Sequence, residues 1–178
     1  WQAAQLEKQA QAAYQQGEAL HGQGKMEEAV AYYQQAVDIK PDYAQAWSNL
    51  GVASAAREQY SEAASYFDKA LELSPILFEA RIGLAICMGG LGNFSEAESN
   101  YKKAIELRPG FAEIYYNLGY LYQQQGLYEE ARAALAALRR ASPGEKVIYL
   151  GRSLGSGGCG PGGRDGAGPR ERVLLRRR

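Results

Sequence analysis

The chain has 178 residues, of which 46% are hydrophobic, and 20 basic residues balance 20 acidic ones. That hydrophobic share can build a core and excludes a wholly disordered chain, and the length suits one domain or one compact array with a tail. No apolar run approaches the roughly 18 residues of a membrane span, and two cysteines with one histidine exclude a zinc cluster or a disulfide framework.

No basic stretch leads into an apolar one, so no secretory leader is visible. The chain opens on Trp1 and not on methionine, which reads as a fragment or a processed piece. Few cysteines and no leader suit a cytoplasmic protein.

Residues 1–9 are rich in Gln and Ala and extend a first helix backwards. From residue 10 the sequence repeats every 34 residues: Ala36 to Pro41 returns as Ala70 to Pro75 and again as Ala104 to Pro109. Glu28-Ala29, Glu62-Ala63, Glu96-Ala97 and Glu130-Ala131 keep the same period, as do Met26, Tyr60, Phe94 and Tyr128. Four units follow, at 10–43, 44–77, 78–111 and 112–145.

Each unit reads as two amphipathic helices. In the second unit Ala46, Trp47, Leu50 and Ala53 fall on one face from Ala44 to about Arg57, and Ala63, Ala64, Phe67, Ala70 and Leu71 on another from Tyr60 to about Leu73. Ser61 is a candidate helix start, and Pro75 stops extension. Gly24, Gly92 and Gly126 mark the breaks between helices, where a left-handed residue is needed; Glu58 takes that place in the second unit and makes its turn less ideal. Gly17, Gly51, Ala85 and Gly119 on the first helices face Ala29, Ala63, Ala97 and Ala131 on the second, so each pair packs closely. Tyr33, Phe67, Tyr101 and Leu135 fill the space beside the next pair. One pair cannot bury its apolar face alone, so the units stack into an all-α solenoid.

After Pro143, Lys146 to Leu150 reads as the stub of a further helix within a last segment, 146–178. Residues 155–168 hold eight glycines in 14 places, which predicts a disordered Gly/Arg-rich tail. Residues 1–150 carry 13 basic and 18 acidic residues, whereas the tail beyond carries seven arginines against Asp165 and Glu171. The tail lacks aromatics that would stack on bases, and the acidic body lacks a basic stripe, so no nucleic-acid ligand is expected.

Candidate chemistry is sparse. His21 lacks a nearby nucleophile in sequence and reads as a surface residue. Cys87, among Ala85, Ile86 and Met88, reads as a buried small hydrophobe, and Cys159 as an exposed thiol. Gly155 to Gly158 lacks the Lys-Ser/Thr and following helix of a phosphate loop. Glu27-Glu28 and Glu129-Glu130 read as solvated first turns that favour the helix dipole. No catalytic residue, metal or cofactor is expected.

Trp47, Leu50, Gly51, Ala63, Phe67, Ala70 and Pro75 in the second unit, and Tyr115, Leu118, Gly119, Tyr122, Ala131 and Pro143 in the fourth, spell a pattern that resembles the tetratricopeptide repeat. The third unit departs at Arg81 and Ala85, the first at Ala13 and Gln16. The resemblance implies a right-handed α-solenoid of four helix–turn–helix repeats, acting as a non-catalytic scaffold that binds a peptide or protein along its concave face. It implies a lining built from Tyr14, Gln15, Glu18, Asn49, Val52, Glu79, Ile82, Ile86, Tyr116, Asn117 and Tyr120, with Glu113 as a third carboxylate and no Lys or Arg. Such a lining suits an extended, neutral or mildly basic segment with apolar anchors.

Two sub-types of the family can be tested on these positions. A clamp for the acidic C-termini of chaperones needs cations, but its places fall on Tyr14, Glu18, Asn49, Glu79 and Gly83, so chaperone tails are not expected partners. An asparagine ladder, as in the arm of O-linked N-acetylglucosamine transferases, matches Asn49 and Asn117, has Gln15 as a near substitute and breaks at Gly83. It leaves open a substrate-recruiting arm of a larger enzyme. A third alternative is self-association into a homo-oligomer through Ala133, Ala134, Leu135 and Leu138 of the last pair.

Overall fold

Each unit's apolar spacing follows a helical period through two stretches, interrupted once, and the chain folds as that pattern dictates. The structure, a computed structural model, describes residues 2–141. Helix α1 spans Gln2–Gly22 and α2 Met26–Ile39; α3 spans Ala44–Ala56 and α4 Tyr60–Leu73. Helix α5 spans Phe78–Gly90 and α6 Phe94–Leu107; α7 spans Ala112–Gln124 and α8 Tyr128–Ala141. No strand occurs among the described residues. Pro143, the stretch Lys146 to Leu150, Cys159 and the Gly/Arg-rich tail lie outside them.

Within each pair the turn is closed by the same two crossed bonds. The Gly24 N–H donates to His21 O and the Lys25 N–H to Leu20 O, both at 2.9 Å, and matching bonds close the turns at Gly92 and Gly126. These glycines have φ of 77°, 81° and 74°. Glu58 adopts φ 60° and makes the same bonds, to Ala55 O and from Gln59 to Ser54 O, each 3.0 Å. A side chain in this left-handed region costs about 1 kcal/mol. Glu58→Gly is therefore expected to raise the thermal and urea midpoints, by about 0.5–1 kcal/mol at equilibrium. A lowered midpoint would mean that the Glu58 side chain stabilises the turn by another route.

Helix starts differ from the sequence expectation. Ser61 is the second residue of α4, not its cap; Gln59 holds that place and, like the starting residues of α2, α3, α5, α6 and α7, offers no side-chain bond. Acidic first turns at Glu27-Glu28, Glu62, Glu96 and Glu129-Glu130 favour the dipole instead.

The pairs interlock through rings set over small residues. A Cβ on Gly17 would lie 2.6 Å from the Tyr33 ring, and one on Gly51 would lie 2.8 Å from the Phe67 ring. Both rings are buried, Tyr33 fully and Phe67 to within 1%. Phe67 reaches further: its ring also lies against Gly83 on α5, so glycines of two successive units border it. Packing runs from pair to pair, α2 on α3, α4 on α5 and α6 on α7, as a stacked array requires.

The departure at Arg81 has a physical reason. Trp47 Nε1 donates to Pro41 O at 2.8 Å, Arg81 Nη2 to Pro75 O at 2.7 Å and Tyr115 Oη to Pro109 O at 2.7 Å. An indole, a guanidinium and a phenol thus satisfy equivalent carbonyls six residues back. Their neighbours change with them. Trp47 stacks on Tyr66 with centroids 5.9 Å apart, while Arg81 Nη1 donates at 3.4 Å to Oδ1 of Asn100, which takes the place of Tyr66. Asn100 is buried, and its amide also donates to Glu96 O at 3.0 Å. Arg81→Ala strips a donor from both acceptors and is expected to destabilise by about 1–3 kcal/mol. The double variant Arg81→Trp/Asn100→Tyr reinstates the second unit's pairing and is expected to recover most of that loss in urea unfolding. An unchanged midpoint in Arg81→Ala would count against the role assigned to this donor.

Candidate functional site

The first helices of successive pairs meet one another, and the proposed lining lies on them. Helix α3 meets α5, and α5 meets α7, across unit boundaries.

Three rows of residues at 34-residue intervals run along these first helices. In the row of Glu18, Val52, Ile86 and Tyr120 all four are exposed, and the last three show 36%, 37% and 40% of their surface. In the row of Tyr14, Ser48, Ile82 and Tyr116, Ser48 and Ile82 are buried and the two tyrosines half-buried. Ile82, expected on the lining, belongs instead to the core beside Phe67 and Leu84, because its side chain turns into the contact between pairs. In the row of Gln15, Asn49, Gly83 and Asn117, Gln15 is exposed and both asparagines are half-buried. Gly83 lies against the Phe67 ring.

One cluster is held firmly. Asn49 Nδ2 donates to Tyr14 Oη at 3.2 Å, and Tyr14 Oη donates to Glu18 Oε1 at 2.9 Å. The Tyr14 ring packs on Tyr43 and Tyr33, with centroids 4.9 and 5.8 Å away. Burial, helped by the Glu18 carboxylate, pushes the Tyr14 hydroxyl well above the usual phenol range, so it stays protonated and keeps donating. The Asn49 amide is thereby committed to Tyr14, which competes with the ladder role. Tyr43 was missed in the sequence because it sits in a turn, although Leu77 and Phe111 fall in phase with it.

Glu79 differs from Glu18. Its Oε1 lies 3.5 Å from Arg108 Nη1, and the Arg108 guanidinium sits 4.2 Å over the Phe78 ring. Arg108, just beyond α6, thus brings a cation to α5, whose own expected lining positions carry none. Among the described residues Glu18 has no ion pair.

The remaining reactive groups are structural. Cys87 is fully buried, and burial pushes its thiol up to about 11, which leaves it protonated at neutral pH. His21 is half-buried with Nδ1 3.4 Å from Tyr33 Oη. No group of three or more metal-ligating side chains occurs among the described residues, and no described helix is long and apolar enough to cross a membrane.

Among the described residues a shallow cleft of about 320 Å³ lies on the last pair, lined by Tyr128, Ala131, Leu135 and Arg139 among others. Of the residues expected to expose apolar surface there, Ala134 and Leu138 are buried, Ala134 in the core cluster that holds Leu118 and Leu121 of α7.

Comparison with known proteins agrees with this architecture. A TPR repeat profile matches residues 17–56, and tetratricopeptide repeat profiles match residues 42–109 and 90–150. No curated protein matches the chain. Among solved structures, a crystal structure of MamA is 22% identical with a TM-score of 0.69, covering 74% of this chain and 77% of that one. A MamA fragment from Desulfovibrio magneticus RS-1 is 19% identical with a TM-score of 0.69, covering 74% and 75%. The first TPR of Spaghetti (RPAP3), bound to the HSP90 peptide SRMEEVD, is 22% identical with a TM-score of 0.65, covering 67% and 95%. At these identities the likeness is one of fold.

Proposed function

The chain belongs to the tetratricopeptide repeat family, and from that premise we propose that it is a non-catalytic module holding an extended peptide, or an extended segment of a partner protein, in its concave face. The family and its fold support a protein–protein interaction module. The observation that carries the finer reading is the row in which Val52, Ile86 and Tyr120 stay exposed on α3, α5 and α7, the first helices of three successive pairs. Apolar side chains held in the open by a rigid scaffold supply contact area at low ordering cost. Gln15 and Asn117 beside them can pair with a ligand's backbone.

The peptide bound by the RPAP3 repeat, SRMEEVD, is acidic. The present lining suits that chemistry poorly. Glu18 and Glu79 stand where cations would be needed, and the one nearby guanidinium, Arg108, is taken by Glu79 and Phe78. A neutral to mildly basic ligand is the better match.

Selection of a displayed peptide library on the 178-residue chain tests the reading. Retained peptides are expected to be lost on a Val52→Ser/Ile86→Ser/Tyr120→Ala variant of equal helicity and kept on a Tyr32→Ala/Lys69→Ala variant of the second helices. Retention by the first variant and loss by the second would move the site to the second helices and overturn the proposal.

A further inference from the structure

Resting on that reading of the groove, we infer that the ligand is a segment in polyproline II conformation with one Lys or Arg at one end and apolar side chains at every third residue beyond it, the cation seated on Glu18 and the apolar groups on Val52, Ile86 and Tyr120.

The argument begins with spacing. Glu18, Val52, Ile86 and Tyr120 repeat every 34 residues, so each stands at the same place on the first helices of successive pairs. Helix α3 meets α5 and α5 meets α7, Asn49 on α3 bonds Tyr14 on α1, and packed helices lie about 8–10 Å apart. A polyproline II chain has three residues per turn and rises about 3.1 Å per residue, so it presents every third side chain to one face about 9 Å apart. A β-strand alternates faces with period two and cannot keep every third side chain on one side. Polyproline II also leaves its backbone groups unpaired, which suits amides along the groove.

The order within the row supplies the polarity. Three members are aliphatic or aromatic, and the fourth, at the N-terminal end, is a carboxylate. Glu18 is held in place: Tyr14 Oη grips Oε1 at 2.9 Å, Asn49 holds Tyr14 at 3.2 Å, and Tyr43 supports the Tyr14 ring. A carboxylate fixed this way loses little freedom on meeting a cation. The adjoining tyrosine ring adds attraction for a guanidinium or ammonium. Glu79 is unsuited to the task because Arg108 already meets it. Glu113 lies in a different row from the apolar positions.

The probes are fluorescein-labelled peptides Arg-Ser-Pro-Leu-Ser-Pro-Leu-Ser-Pro-Leu, the same with Glu or Gln in place of Arg, and one of equal composition with the three Leu moved to every second residue. Anisotropy titrations use the 178-residue chain. The Arg peptide is expected to bind about five- to tenfold more tightly than the Glu peptide. Moving the leucines should weaken binding by at least as much. Glu18→Gln keeps an acceptor for Tyr14 and is expected to abolish the preference for Arg without changing helicity or melting. Glu18→Lys is expected to invert it. Equal binding of Arg and Glu peptides, a preference that survives Glu18→Gln, or no binding of the Arg peptide at millimolar concentration would each overturn the inference. If library peptides were still lost on the Val52/Ile86/Tyr120 variant, the groove itself would stand and only this ligand class would fall.

Discussion

Phe67→Ala is expected to lower the stability of the array by about 3–5 kcal/mol, the range for truncating a buried aromatic that leaves a cavity. The side chain is 1% exposed and borders Gly51 of its own unit and Gly83 of the next, neither of which has a side chain to collapse into the space. In a stacked array the loss falls on two quantities, the stability of one unit and its coupling to the next. Urea unfolding should therefore lose cooperativity as well as midpoint. Amide exchange is expected to separate α1–α4 from α5–α8 into two groups of different protection. A single cooperative transition with a midpoint near that of the native chain would contradict the placement of Phe67 at the joint.

Gly83→Ala carries the second large effect, and its sign runs against propensity. Alanine in a helix is favoured over glycine by about 1 kcal/mol. Here the added methyl would collide with the Phe67 ring, which Gly51 also borders closely. Overpacking of this kind costs about 1–3 kcal/mol, so a net destabilisation is expected. Combining Gly83→Ala with Phe67→Leu removes the ring and should turn the glycine substitution neutral or stabilising. A double-mutant cycle in urea measures the coupling, and additivity within error would show that the two positions do not press on each other.

The period of 34 residues, the eight described helices and the positive-φ turns were legible because each rests on local rules that recur in every unit. What escaped depended on contacts between units. Gly83 looked like a gap in a row of amides, yet it is the seat of Phe67. The first unit differs: Tyr33, in phase with Phe67, packs on Tyr14, and Asn49, in phase with Gly83, donates to that same Tyr14. Gly83 follows Phe67 by 16 positions, in the next unit, so one unit viewed alone does not expose the link. Ile82 misled for a similar reason. Its place in the row is half-buried at Tyr14 and Tyr116, but a short aliphatic chain disappears into the core where a tyrosine can keep its hydroxyl at the surface. Arg108 was missed because a residue after a second helix has no reason, in one unit viewed alone, to meet the first.

The three donors to the proline carbonyls bear on how such arrays can be cut and rejoined. Trp47 goes with Tyr66, and Arg81 with Asn100, each partner standing 19 residues further along on the second helix of the same pair. A recombination joint placed between two pairs carries both members together and leaves no acceptor stranded. A joint placed inside a pair would graft a guanidinium onto a tyrosine or an indole onto a buried amide. The exchangeable cassette in this chain is therefore the helix pair with its preceding proline turn, and shuffled libraries should yield folded arrays when crossovers fall just ahead of Pro41, Pro75 or Pro109.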